Sequence, residues 1–320
     1  MTMVLSALEY LGYILIFPGF LFCFFVGLLL AGIDRKIVAK MQKRVGPPIL
    51  QPFYDFFKLC GKETIIPAAA SKTTFLMAPL VGLAGLVVLQ MFIPIHGWAA
   101  FSGTADIIVI LYLLLIPAMA TMLGGSASGS PYAGIGMSRE MVTVISCELP
   151  LVLVLLAVGK VAGGDSVTFS FSVISDYQLA NGSLILHPSL IPAAIAFLMI
   201  IPGETGNHPF DTAEAETEIC EGLLAEYSGA PLGVFKLAHA VKLLTLSSLF
   251  VALFLGGVGT GIIVIDGIIL VLISIVITIL TVSLVHAITA RLKIEQVFKY
   301  YWTVVSGLAL ISLVLAWYGL

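Results

Sequence analysis

Between His208 and Gly229 the stretch HPFDTAEAETEICEGLLAEYSG carries six carboxylates, Asp211, Glu214, Glu216, Glu218, Glu221 and Glu226, with no Lys or Arg among them. Pro209 suits a first helical turn, and Asp211 to Glu214 has capping-box spacing, so a helix is predicted to start here. At helical spacing Asp211, Glu214, Glu218, Glu221 and Glu226 fall on an arc of about 140°, with Glu216 outside it. Like charges at i, i+3 and i+4 repel by some tenths of a kcal/mol per pair when exposed. When partly buried they repel more strongly, and one of a close pair takes up a proton. The chemistry expected of such a stripe is shared protonation, titrating as a unit. A solvated surface stripe is the alternative.

A second group of ionisable residues lies inside apolar runs. Glu148 sits roughly 15 Å past the Arg139-Glu140 entry of its run at helical rise. Lys236, His239 and Lys242 follow at i, i+3 and i+6 on one face, beginning where the acidic stretch ends. A charge at mid-membrane costs about 2.5 to 3.5 kcal/mol on insertion scales, so these residues should face a bundle interior and pair. A structural ion pair such as Glu148 with Lys242 is one expectation, and a hydrophilic path through Glu140, Glu148, Lys236, His239 and Lys242 is the other. His286 and Glu295 are weaker candidates.

The elements that must position these groups are membrane helices. Mean hydropathy is +1.12, far outside the range of a soluble core. The apolar runs match the length needed to cross a hydrocarbon layer of about 30 Å, where backbone groups must be satisfied within each segment. Eight spans are predicted, near 10–32, 73–94, 107–123, 141–161, 184–202, 232–255, 262–287 and 300–319. The fold class is therefore an all-α polytopic membrane bundle, a single integral membrane domain over 1–320 with a retained first helix. Twelve Lys and Arg fall in the loops after spans one, three and seven, against Lys160 alone on the opposite side. The positive-inside rule then places both termini outside and the acidic loop, 203–231, in the cytoplasm. Cys23, Cys60, Cys147 and Cys220 are scattered without ligand spacing, so no metal site is expected. The glycine-rich stretch Gly124 to Gly136 lacks the Gly-Lys-Ser/Thr ending of a phosphate loop and reads as a flexible or tight turn. No internal repeat is visible, which argues against a stand-alone secondary transporter.

The first cytoplasmic loop, 33–72, divides at Gly46-Pro47-Pro48 into a basic arm and a short amphipathic helix. Leu50, Phe53, Tyr54, Phe56, Phe57 and Cys60 share one side of that helix, and Gln51, Asp55, Lys58 and Lys62 the other. Such a helix lies in the membrane interface, serving either as a lipid-surface element or as a docking collar. Arg44 has a guanidinium fork able to hold a carboxylate at two points, so it is expected to meet an acid of the stripe or of a docked subunit.

KMQKRVGPPILQPFYDFFKLCGKE and HPFDTAEAETEICEGLLAEYSG together resemble the membrane anchor subunit that joins the redox arm to the pumping arm in respiratory complex I. The same type of anchor serves the energy-converting membrane-bound nickel-iron hydrogenases. The resemblance covers essentially the whole chain, including Glu148-Leu149-Pro150. It implies a cytoplasmic cavity between the first and third cytoplasmic loops, with Arg35, Gln42, Arg44, Asp55 and Lys58 at the docking surface. It implies as partners a peripheral iron-sulfur subunit, a large catalytic subunit, antiporter-like membrane subunits and the lipid bilayer of a prokaryotic cell membrane, with no nucleic acid. The chain has no haem, flavin or cluster ligation pattern, so no cofactor is expected on it, and iron-sulfur clusters and a nickel-iron centre would sit in partner subunits. The contracted Gly46 to Pro52 segment and Ser138-Arg139-Glu140 look like the hydrogenase branch, which includes complexes reducing sulfur compounds. Both weaken the alternative, a quinone-binding subunit of NADH:quinone oxidoreductase.

Overall fold

The structure, a computed structural model, describes residues 11–96, 98, 100, 106–164 and 166–319, and of Glu216 the backbone alone. Residues 1–10, where the first span is predicted to open, lie outside the described residues. The fold is an all-α membrane bundle, and among the described residues the only β pairing is two isolated bridges.

Among the described residues, seven helices are long and apolar enough to cross a membrane. These are 11–41 (with α1, Phe20–Met41), α3 (Lys72–Phe92), α4 (Ile107–Ser128), α5 (Pro131–Gly163), α9 (Gly229–Phe254), the run Ile263–Ile288 and the run Ile294–Tyr318. The fifth predicted span, 184–202, is a shorter apolar stretch, Pro188–Glu204. Pro188 opens a 3₁₀ turn at Pro188–Leu190, and the regular helix α7, with Pro192 in its first turn, covers only Ile191–Glu204. Between the spans lie α2 (Gln51–Cys60), α6 (Phe171–Asn181) and the four-residue α8 (Glu216–Ile219). Ile263–Ile288 is α10 (Ile263–Thr278), a π turn at Ile279–Ser283 and α11 (Leu284–Ile288). Ile294–Tyr318 is likewise α12 (Ile294–Tyr300), a π turn at Tyr301–Val305 and α13 (Ser306–Tyr318).

Helix α9 is the axis of the bundle. Its most apolar window is 89% buried, against 33–56% for the other six, whose outward faces remain apolar and suit lipid or neighbouring subunits. Lys242 of α9 is buried, and Lys236 and His239 line an internal cavity with it, which decides between snorkelling and an internal site. Within the Gly124 to Gly136 stretch α4 runs on to Ser128 and α5 starts at Pro131, so the turn is confined to Gly129 and Ser130. Gly129 adopts φ +71° past the end of α4, Ser130 is extended, and Pro131 starts α5 at a position where its missing N–H is not needed.

The amphipathic helix α2 forms as the sequence predicts. Phe53 and Phe56 pack on Phe24 with centroids 6.0 and 5.2 Å apart, while Leu50, Tyr54 and Phe57 stay exposed. One edge of the apolar side grips α1 and the rest is left for the membrane interface.

Candidate functional site

Several parts of the chain converge on a cavity of about 640 Å³. Helix α1 contributes Asp34 and Arg35, α2 contributes Asp55 and Lys58, and α5 contributes Glu140. Glu204 ends α7, His208, Asp211 and Glu214 come from the acidic loop, and α9 supplies Lys236, His239 and Lys242. Nine of the residues singled out from the sequence thus share one space. The three α9 residues follow from their 3-residue spacing, and each is held differently.

Lys242 is buried and forms an ion pair with Glu204, Nζ to Oε1 3.1 Å. His239 Nε2 lies 3.0 Å from Asn207 Oδ1, and the Asn207 amide donates to Thr205 Oγ1 at 2.8 Å, which orients its oxygen toward the ring. Lys236 stands near Glu214 and Asp55 and lowers the pKa of both, a smaller effect than burial on each. Asp55 itself is joined to Arg35 at 3.0 Å. Burial would push the Asp55 carboxyl up, but hydrogen bonds from Gln51 and Arg35 hold it below the ordinary carboxylate range. Asp34 accepts a hydrogen bond from Ser283 at 2.7 Å across from the π turn, and His286 packs on His208 with ring centroids 4.9 Å apart.

The acidic loop is not the helix its sequence predicts. After turns through 205–215 it forms only the four-residue α8, and Cys220 and Glu221 take left-handed φ of 51° and 66°. The carboxylates are consequently dispersed rather than stacked in a stripe. Asp211 accepts a forked bond from Arg291, Nε to Oδ1 3.0 Å and Nη2 to Oδ2 2.5 Å. Glu218 accepts from Arg139 at 2.6 Å, and Arg139 also donates to the Thr212 carbonyl at 3.2 Å. Basic partners absent from the local sequence thus arrive from α5 and from the segment before α12. Glu221 and Glu226 are exposed, and the side chain of Glu216 lies outside the described residues. Glu214, a member of the predicted shared-proton cluster, lines the cavity. Burial, then repulsion by Glu140, Glu221 and Asp211, pushes its carboxyl up to about 7.

Two further expectations are corrected. Glu148 does not pair with Lys242: it is half-buried on α5 and does not line the cavity, because the i+8 step from Glu140 turns it away. Arg44 meets Gln42, two residues away, and no acid of the loop, since the turn after Met41 closes the basic arm back on itself. Both residues lie at the surface, away from the cavity.

The sequence reading does not single out Glu204, Asp34, His208, Arg139 or Arg291 as site residues, and it names His286, which lines the cavity, only as a weaker candidate. Glu204 carries a signal, being the acid that ends an apolar run just before the loop. Arg291 and Arg139 lie 80 and 79 residues from their partners, a separation local spacing does not resolve.

The chain matches the NADH dehydrogenase family over residues 14–317. It is 38% identical to hydrogenase-4 component C of Escherichia coli (strain K12) over 71% of this chain and 70% of that protein. It is 31% identical to the H subunit of NADH-quinone oxidoreductase from Rhizobium rhizogenes over 98% of this chain and 95% of that one. Among solved structures, a chain of the membrane-bound sulfane sulfur reductase, an archaeal respiratory membrane complex, superposes with a TM-score of 0.85 at 32% identity, covering 92% of this chain and 96% of that one. The seven spans, the shorter apolar stretch and the charged cavity between the first loop and the acidic loop thus accompany sequence identity above 30% over nearly the full length, and the chain belongs to the NADH dehydrogenase family.

Proposed function

We propose that this chain is the membrane anchor and coupling subunit of an ion-pumping respiratory complex of the hydrogenase or sulfur-reductase type. The observation that carries the reading is the buried Glu204–Lys242 pair in the wall of a cavity bordered by both large loops. A desolvated ion pair is held by opposing terms of several kcal/mol, so a nearby change of charge or geometry can shift its proton. Loops 33–72 and 203–231 are the surfaces on which a peripheral iron-sulfur subunit and a large catalytic subunit dock. Reduction in that arm alters charge at Glu214 and Asp211, and the signal passes through His239 and Lys242 toward antiporter-like membrane subunits. Redox chemistry, with iron-sulfur clusters and a nickel-iron centre, belongs to those partners. The basic-residue asymmetry supports loops 33–72 and 203–231 on the cytoplasmic side and both termini outside.

A quinone bound in the cavity is the second reading, favoured by the apolar part of its wall at Leu28, Ala31, Phe56, Leu59 and Leu243. Isolation of the native complex through this chain separates the two, because iron, nickel and extractable quinone can be measured on one sample. The coupling role is tested in reconstituted vesicles. Glu204→Gln combined with Lys242→Met, which removes both buried charges together, is expected to leave the complex assembled and to lower the pumped charge per electron. An unchanged ratio would remove the basis of the proposal.

A further inference from the structure

Tyr301 is fully buried and opens the π turn Tyr301–Val305, away from the cavity wall. A π turn inside an otherwise α-helical span widens the backbone locally and is retained where a side chain must be aimed. The side chain it aims reaches the helix that ends in Glu204. Tyr301 Oη donates to the Met199 carbonyl at 3.1 Å, and Gly203 lies against the ring so closely that a β-carbon there would overlap the hydroxyl. The buried Cys147 of α5 lies near the same hydroxyl. On its other side the ring meets Phe210, centroids 5.2 Å apart, and Tyr300 stacks on Phe210 at 5.8 Å. Phe210 immediately precedes Asp211, the residue clamped by Arg291.

These contacts form one continuous file from the acidic loop to the buried ion pair: Asp211, Phe210, Tyr301, Gly203-Glu204, Lys242. We propose that Tyr301 is the positioning residue that fixes the Glu204 end of α7 against Lys242 and transmits displacement of the acidic loop to that pair. It acts on Glu204 through the backbone of α7. The inference rests on the coupling role proposed above and adds to it the mechanical link between loop and pair. Packed chains of this kind carry coupling only where an element has two arrangements that both ends bias, which makes the link measurable.

The test uses the intact complex in vesicles. Tyr301→Phe keeps the ring and removes the hydroxyl. Assembly and electron transfer are expected to be preserved, with pumped charge per electron lowered by about twofold or more. The pH profile of that ratio is expected to shift, because the pair is faced by Glu140, Cys147 and Glu148 of α5, by His239 of α9 and by Tyr301 itself, which share its field. Phe210→Leu cuts the contact from the loop side and is expected to reproduce both effects. Should Tyr301→Phe fail to assemble, Phe210→Leu decides by the same two readouts. An unchanged ratio and profile in the assembled variant overturns the inference. The Glu204→Gln, Lys242→Met double variant separates the failures: if it uncouples and Tyr301→Phe does not, only the positioning role falls, and if neither uncouples, the coupling role falls with it.

Discussion

Lys242 Nζ lies 3.1 Å from Glu204 Oε1, with side chains 10% and 4% exposed, where the end of α7 meets the middle of α9. Removing one partner leaves the other as an uncompensated buried charge, a change that costs about 3 to 5 kcal/mol in comparable settings. Lys242→Met alone is therefore expected to lower the yield and thermal stability of the complex sharply. Lys242→Met with Glu204→Gln, which leaves no bare charge, should recover most of that stability without recovering pumping. Thermal unfolding in detergent beside vesicle pumping reads both. A double variant as unstable as the single one would show that the pair matters for shape rather than charge.

Glu214 gives a pH dependence with a definite sign. Its pKa in the folded chain is about 7, raised from an unfolded value of about 4.5 by burial and by Glu140, Glu221 and Asp211. The folded state then holds its proton more tightly than the unfolded state, so its contribution to stability is fully present below about 4.5 and is lost as pH rises through about 7. Glu214→Gln is expected to flatten that fall. Melting temperature of the complex between pH 4.5 and 7.5, compared between the two proteins, checks it, and parallel curves would place Glu214 in water.

The Arg291 fork on Asp211 ties the acidic loop to the segment before α12, helped by the Leu292 amide on the Pro209 carbonyl at 3.2 Å. Charge-assisted forked bonds are roughly twice as strong as neutral ones and depend on guanidinium geometry. Arg291→Lys should loosen the loop and speed its proteolysis several-fold. Arg44→Lys should not, because Arg44 meets Gln42 and no loop acid. Limited proteolysis of the two variants side by side gives the comparison.

How far the sequence reveals these features depends on the range of the forces involved. Helical runs, the amphipathic α2 and the α9 face of Lys236, His239 and Lys242 follow from periodicity, a local property, and all three recur in the structure. The acidic helix does not form. Its capping box and helical spacing are also local, but Arg139 and Arg291 pull Glu218 and Asp211 apart, and Cys220 and Glu221 break the helix with left-handed φ. Tertiary ion pairs there outweigh a propensity worth tenths of a kcal/mol per residue. The partner of Lys242 escapes the sequence for a related reason. Glu148 and Glu204 both lie in or at the end of apolar runs, and only the packing of α7 on α9 selects Glu204.

The attachment of α2 offers a comparison between two kinds of contact. Arg35 and Asp55 join α1 to α2 at 3.0 Å, but their side chains are 50% and 40% exposed, and exposed pairs contribute about 0.2 to 1 kcal/mol. Phe24 meets Phe53, Phe56 and Phe57 with centroids at 6.0, 5.2 and 6.3 Å. Aromatic pairs of this geometry contribute about 0.5 to 1.5 kcal/mol each beyond the area they bury. The aromatic contacts should therefore hold the helix, with the ion pair shaping the cavity wall. Cys60, exposed at the end of α2, provides a reporter, since Cys23 and Cys147 are buried and Cys220 can be replaced by Ser. A nitroxide on Cys60 is expected to gain mobility strongly in Phe56→Ala or Phe24→Ala and little in Asp55→Asn. The reverse order would show that the Arg35–Asp55 pair is what seats α2 at the mouth of the cavity.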